Sequence, residues 1–263
     1  MNGDTSLVSK FSMDIKQRIK LHLEDFSYRY HLITRKVTIR NGSFRVYAWH
    51  PRPWVMEDTP PISWMLDRVS PEDVVYDIGA NRGYFTLALL SNISGVRIFP
   101  FEPNPEVMAK LKANLRLNKD KDYVRPVKYA LGAEGGTTTL NISWVDSASS
   151  IRAVHAEDSG HGIRSTVEIQ VKTLDKLVFE EHFPAPQHIK IDTEGFEVPV
   201  LLGAKETISQ YRPFAYIEVH TINGSQDNEQ DIRQALYPHG YSIQRYRMQL
   251  LCAPDNKRSK TYS

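Results

Sequence analysis

A single cysteine, Cys252, among 263 residues excludes an intrachain disulfide and any zinc site built from several thiolates. A reducing compartment fits that usage. The opening residues MNGDTSLVSKFSMD lack the apolar stretch of a secretory signal, and no apolar run approaches the roughly 20 residues that span a bilayer. The expected location is therefore the cytoplasm, with no transmembrane segment. Charge of one sign is scarce too. The 33 Lys and Arg stand against 31 Asp and Glu, a net charge of +2, without the basic excess of a non-specific nucleic-acid binder. What is present is an ordinary globular composition, 41% hydrophobic and 24% charged, long enough for one large α/β domain with a small extension.

The extension is expected over residues 1–70 and the main domain over 71–263. Phe11, Ile15, Ile19, Leu23 and Phe26 recur about one helical turn apart, with Lys16, Arg18, Lys20 and Glu24 opposite. This predicts an amphipathic helix within 11–34, docked on the main domain or lying on a membrane surface. The run VTIRNGSFRVYAW (Val37 to Trp49) predicts a β-hairpin turning at Asn41-Gly42, and ISWMLDRV (Ile62 to Val69) a helix. From Asp73 onward, apolar strands alternate with helical patterns: VVYDI, VRIFPFE, RPVKYAL, HIKID and PFAYIEVH, with YSIQRYR and MQLLCA as closing antiparallel strands. Such alternation predicts a mostly parallel sheet with helices on both faces, and ligands at the strands' C-terminal edge. Two period-two runs, Thr137 to Ser143 and Thr166 to Leu174, flank a polar loop over 144–165 that reads as a lid or as solvated chain.

The segment VVYDIGANRGYF runs from a strand through Asp77, Gly79 and Gly83 into a helix. Glycine there lets the backbone turn sharply and approach a ligand. The third glycine of a dinucleotide fingerprint is missing. An acid stands at the turn instead, repelling a pyrophosphate and suiting an ammonium group, so the expected ligand is a cationic, phosphate-free nucleoside. Glu102 ends the second strand, where an acid can accept both ribose hydroxyls. Acids also cap helices, which is the structural alternative for Asp77 and Glu102. Ala130 and Leu131, in KYALG, are placed to flank an adenine.

The motifs YDIGANRGYFT, FEPNP, YALG, TLD (Thr173 to Asp175), KIDTEGFEVPVLLGA and IEVH together resemble the FkbM-like family of methyltransferases, across about Asp73 to His220. The resemblance implies a Rossmann-like fold with a mostly parallel seven-stranded sheet, S-adenosylmethionine as methyl donor, and O-methylation of a sugar, polyketide or similar hydroxylated molecule. Asp77, Gly79, Ala80, Asn81, Gly83, Tyr84, Phe85, Glu102, Pro103, Asn104, Ala130, Leu131 and Asp192 are the candidate cofactor contacts. The alternatives are a methyltransferase acting on protein or RNA, and a non-catalytic module that only binds the nucleoside.

Methyl transfer from a sulfonium needs an aligned acceptor oxygen and a route for its proton. Asp192, Glu194, Glu218 and His220 are the candidate catalytic residues at the cofactor edge. Three roles compete: a general base, one of Asp192, Glu194 or His220, with His220 best tuned near neutrality; a divalent cation held by Asp192, Glu194, Glu218 and His220; or a structural or substrate-positioning role, with Glu218 paired to Lys190. Glu197 reads as structural. The chain has Asp192-Thr193-Glu194-Gly195 where amino-group methyltransferases of nucleic acids carry an Asn/Asp-Pro-Pro-aromatic run, and Cys252 sits too late to be a cytosine nucleophile. His155, His161, Arg152 and Arg164 can close over a substrate or stay solvated. Trp49, Trp54 and Trp64 can stack on a flat acceptor or pack in the core.

Overall fold

The computed structural model describes residues 32–47, 60–118, 123–144, 149–151, 162–220 and 227–255, together with Leu23, Phe26, Arg29 and Tyr30. Those four are helical, and the rings of Phe26 and Tyr30 lie 4.4 Å apart. The rest of the amphipathic helix expected over 11–34 lies outside the described residues, and strand already begins at Thr34. Among the described residues, no helix is long and apolar enough to cross a membrane.

In chain order the elements are β1 (Thr34–Ile39), β2 (Gly42–Tyr47), α1 (Pro60–Leu66), β3 (Val74–Ile78), α2 (Tyr84–Asn92), β4 (Arg97–Phe101), α3 (Pro105–Leu117), β5 (Ala130–Leu131), β6 (Gly136–Ser143) and β7 (Ile163–Lys172). Then come α4 (Leu174–Phe179), β8 (His188–Ile191), α5 (Glu197–Leu202), α6 (Lys205–Tyr211), β9 (Phe214–Glu218), α7 (Asp227–Leu236), β10 (Tyr241–Tyr246) and β11 (Gln249–Pro254). The main sheet has six strands in the order β10-β11-β9-β8-β3-β4. Its β9, β8, β3 and β4 run parallel, while β11 is antiparallel to both β9 and β10.

The expected seventh strand, Arg125 to Leu131, is divided. Val124 and Val127 make isolated parallel bridges to β4, whereas Ala130 and Leu131 join β7 and β6 in a separate three-stranded sheet. The cause lies in the sequence of β4. Ile98 and Glu102 donate to the carbonyls of Tyr123 and Val127, but Pro100, the edge-facing residue between them, has no N–H to give. The ladder breaks there, so the sheet is six-stranded and mixed with a bridged edge segment.

Alternation along β3 divides two cores. Val74, Tyr76 and Ile78 pack with residues of α4, α5, α6 and α7. Val75 packs on the other face with α1, α2, α3 and the β1-β2 hairpin. The hairpin turn is shifted by one residue from expectation: Ile39 pairs with Gly42, so Arg40 and Asn41 make the turn, with Arg40 at φ 50°. Gly42 serves a different need, because a Cβ there would overlap the carbonyl of Ser91. That close approach lets side-chain amides cover the free edge of β2. Asn92 accepts from Gly42 N at 3.0 Å and donates to Ile39 O at 3.1 Å. Asn114 accepts from Tyr47 N, and Asn118 both accepts from and donates to the Arg45 backbone. Replacing Asn92 by Ala should lower the unfolding free energy by about 1–3 kcal/mol, the scale for leaving buried backbone groups unmatched. Denaturant melts check this, and an unchanged midpoint would remove the amide clamp from the hairpin.

Candidate active site

The site is built on the C-terminal edge of β4, β3, β8 and β9. After β3 the chain turns with Gly79 at φ 76°, and a Cβ there would overlap the carbonyl of Asp192, so β3 and β8 close on each other only around glycine. Gly79 N and Ala80 N both donate to Phe101 O at the end of β4. Asn81, at φ 51°, donates its N–H to Glu102 Oε2 at 3.0 Å, and Asn104 N donates to Glu102 Oε1 at 2.8 Å. A backbone amide thus holds each carboxylate oxygen of Glu102, which lines the cleft at this edge.

Lys190, on β8, is buried and lies 3.2 Å from Asp77 Oδ1 and 3.1 Å from Asp192 Oδ2, while donating to Gly79 O at 2.9 Å. Burial alone would lower its pKa, but Asp192 and Asp77 push it up, so the ammonium stays charged. Asp77 accepts from Thr86 Oγ1 at 2.7 Å and is 0% exposed. Its Oδ1 is held by charge proximity to Lys190, without a hydrogen bond. The expectation that Asp77 meets an ammonium of the ligand is therefore corrected. Asp77 shares a face of β3 with Val75, under α2, and its charge is spent on Lys190. The suggested pairing of Lys190 with Glu218 likewise gives way to Asp77 and Asp192.

Between β4 and β8 opens a cleft of about 710 Å³, its mouth included. Its polar wall carries Gly79, Asn81, Glu102, Asp192, Thr193 and Glu194; its apolar wall includes Tyr129, Ala130, Leu131, Leu140, Ile151 and Phe196. Of the candidate cofactor contacts, Gly79, Asn81, Glu102, Pro103, Ala130, Leu131 and Asp192 line it. Ala80, Gly83, Tyr84, Phe85 and Asn104 do not. Gly83 caps α2 at φ 82°, where a Cβ would overlap Leu111; Phe85 packs against Tyr216; Asn104 caps α3 by accepting from Glu106 N. Ser150 was missed by sequence reasoning: buried at the foot of the polar loop, it donates to Glu194 O at 2.7 Å. His155, His161, Arg152, Trp49 and Trp54 lie outside the described residues. Trp64 packs edge-on to Phe214 at the start of β9, at the opposite edge of the sheet from the cleft.

Asp192, Glu194, Glu218 and His220 do converge. His220 Nε2 lies 3.4 Å from Glu194 and 3.8 Å from Asp192, and its Nδ1 is 2.9 Å from Glu197 Oε1. Glu197, read from sequence as merely structural, proves to be the fixed point. It is 0% exposed and accepts from Thr193 N, Gly195 N and Asn228 Nδ2. Asn228 also donates to His220 O. The sequence signal for Glu197 was its place at the first turn of α5, where backbone amides face an acid; nothing marked Asn228. Burial would lower the His220 pKa, but the hydrogen bond and charge of Glu197, with Glu194 and Asp192, push it up to about 10. Burial also pushes Glu218 up to about 7, helped by Asp192. Burial would raise the Glu197 pKa, but the hydrogen bond and charge of His220, with the Asn228 hydrogen bond, together outweigh it and hold Glu197 below its ordinary range.

A Rossmann-like sheet, a glycine turn against β8 and an amide-held acid after β4 define the methyltransferase class of nucleoside-binding α/β proteins. The chain belongs to the methyltransferase FkbM domain family, whose profile matches residues 77–243. It is 27% identical over 161 residues to the hexuronic acid methyltransferase AglP of Haloferax volcanii, covering 60% of this chain and 61% of that one. It is 26% identical over 206 residues to the 31-O-demethyl-FK506 methyltransferase FkbM of Streptomyces tacrolimicus, covering 66% and 74%. The crystal structure of a methyltransferase FkbM from Methylobacillus flagellatus superposes with a TM-score of 0.51 at 19% identity, over 70% of this chain and 44% of that one. The chain thus spans less than two thirds of AglP and of the solved chain.

The Glu197–His220 pair carries a pH signature. His220 is raised from 6.5 to about 10 on folding, so its contribution is complete below 6.5 and lost as pH rises through about 10. Glu197 is depressed below 4.5, so its contribution is present above 4.5 and lost as pH falls. The melting-temperature difference between wild type and His220→Gln should therefore be greatest between pH 4.5 and 6.5 and shrink toward pH 10. A difference that does not vary over that range would contradict the ion pair.

Proposed function

We propose that this protein is an S-adenosylmethionine-dependent methyltransferase that methylates a hydroxyl oxygen of a small molecule or glycan. The observation that carries the reading is one cleft in which the amide-held Glu102 and an apolar wall stand with Asp192 and Glu194, the two acids that His220 adjoins. Glu102, pinned by Asn81 N and Asn104 N, offers both oxygens to a ribose diol. Ala130, Leu131, Ile151 and Phe196 offer apolar surface to an adenine. The donor set suits a phosphate-free nucleoside, since no lysine or arginine lines the cleft among the described residues. Two relatives, a hexuronic acid methyltransferase and a 31-O-demethyl-FK506 methyltransferase, support hydroxylated acceptors.

Bound in this cleft, S-adenosylmethionine supplies an electrophilic methyl carbon on sulfonium. The protein's part is alignment and proton removal. Gly79 and Asp192 bring the β3 and β8 loops together beside the reacting centre. Glu194, forced to φ 52° and anchored through its carbonyl to Ser150, presents its carboxylate to the cleft. There it would take the acceptor hydroxyl's proton while the bound donor supplies the methyl group. His220, charged in the resting cluster, holds Glu194 in place.

Transfer of labelled methyl from S-adenosylmethionine into cell extract tests this. The label should survive nuclease and protease treatment and partition with small molecules or glycans. Loss of label after either digestion would assign a macromolecular acceptor, and no transfer at all would leave a binding module. Glu194→Gln should lower turnover about 10²–10⁴-fold, the range for general base catalysis.

A further inference from the structure

Among the described residues, the acid–histidine edge gathers several carboxylates around one histidine. Asp192, Glu218 and His220 each offer one ligand atom, and these atoms lie within 4.8 Å of one another. They come from two adjacent parallel strands: Asp192 follows β8, while Glu218 ends β9 and His220 lies two residues beyond, on the same face. Glu194 adds a third carboxylate, 3.4 Å from His220 Nε2. The nearest lysine, Lys190, is already engaged by Asp77, Asp192 and the Gly79 carbonyl. Among the described residues the half-buried carboxylate of Glu218 accepts no hydrogen bond, although it sits in a region crowded with like charge.

His220 distinguishes this cluster from a chance grouping of acids. Its Nδ1 faces Glu197, which is fully buried and fixed by Thr193 N, Gly195 N and Asn228 Nδ2, so the ring cannot turn and Nε2 is aimed at Asp192 and Glu194. A carboxylate behind the imidazole is how proteins orient a histidine ligand and raise its basicity.

We propose that Asp192, Glu218 and His220 form a binding site for one divalent metal ion. Carboxylates suit Mg²⁺ and Mn²⁺, and imidazole suits first-row transition ions, so Mn²⁺ satisfies both donor types. The site adjoins the Asp192–Glu194 wall of the cleft. An ion there would displace the Nε2 proton that His220 carries in the ion-free cluster, draw in the acceptor oxygen and acidify its hydroxyl, leaving Glu194 to take the acceptor's proton. It would also offset the three carboxylates that otherwise repel an anionic sugar. This role rests on the methyltransferase reading, whereas the binding itself does not.

The test is a titration of chelator-treated full-length protein with Mn²⁺, followed by the electron paramagnetic resonance signal of the free ion. S-adenosylmethionine binding is measured by calorimetry on the same samples. One Mn²⁺ per chain is expected, with affinity falling at least tenfold in Glu218→Gln and in His220→Gln, both checked for folding by circular dichroism. Glu197→Gln, which leaves every ligand in place, should weaken the ion by about 10–100-fold, as loss of an outer-shell partner does. No Mn²⁺ binding by wild type, or equal binding by folded Glu218→Gln, overturns the metal site. Retained S-adenosylmethionine binding in such a sample leaves the methyltransferase reading standing. Mn²⁺ binding without nucleoside binding supports the ion site and overturns that reading instead.

Discussion

The buried ammonium of Lys190 is the constraint on which the cleft depends. It sits between Asp77 on β3 and Asp192 after β8, and donates to the carbonyl of Gly79 in the turn between. An uncompensated buried charge costs about 3–5 kcal/mol, so the fully buried Asp77 is not tolerable without Lys190, which Asp192 also pairs. Their pairing locks two parallel strands at the point where the chain must turn. Gly79 completes the lock, because its missing side chain is what lets the Asp192 carbonyl come against the turn. The geometry of the floor is thus fixed before any ligand enters.

Two further carboxylates then divide the labour. Glu102 takes amides from Asn81 and Asn104 and lines the cleft. Glu197 takes amides from Thr193 and Gly195 and faces His220. Both are acids pinned by backbone donors at the start of a following helix, yet one opens on the cleft and the other is sealed. Glu197 is sealed by Asn228, brought in from α7, which also binds the His220 carbonyl. The outcome is a rigid imidazole at the rim of an otherwise acidic edge.

Much of this was legible in the sequence because it is local. The strand-turn-helix at Val74 to Phe85, the acid ending β4 and the run Asp192 to Glu197 each carry their chemistry within a few residues, and Gly79, Glu102, Asp192 and Glu194 all line the cleft. What was not legible depends on pairings across the fold. Asp77 reads as a ligand-facing acid until Lys190, 113 residues later, is placed beside it. Glu197 reads as a helix-start acid until Asn228 and His220 close around it. The seventh strand failed for a reason visible only once the pairing is known, since Pro100 looks harmless until its missing N–H faces Arg125. Gly42 was noticed for the right hairpin and the wrong reason: its role is contact with α2, and the turn itself falls on Arg40 and Asn41.

Several independent features therefore converge on one cleft: a glycine turn locked by a buried lysine, an amide-held acid, an apolar wall and an adjoining acid–histidine cluster. The most direct measurement is a crystal structure of the protein with S-adenosylhomocysteine bound. The account predicts both ribose hydroxyls on Glu102, the adenine against Ala130, Leu131 and Ile151, and the sulfur directed toward Asp192 and Glu194. A nucleoside bound elsewhere, or a ribose that leaves Glu102 uncontacted, would contradict it.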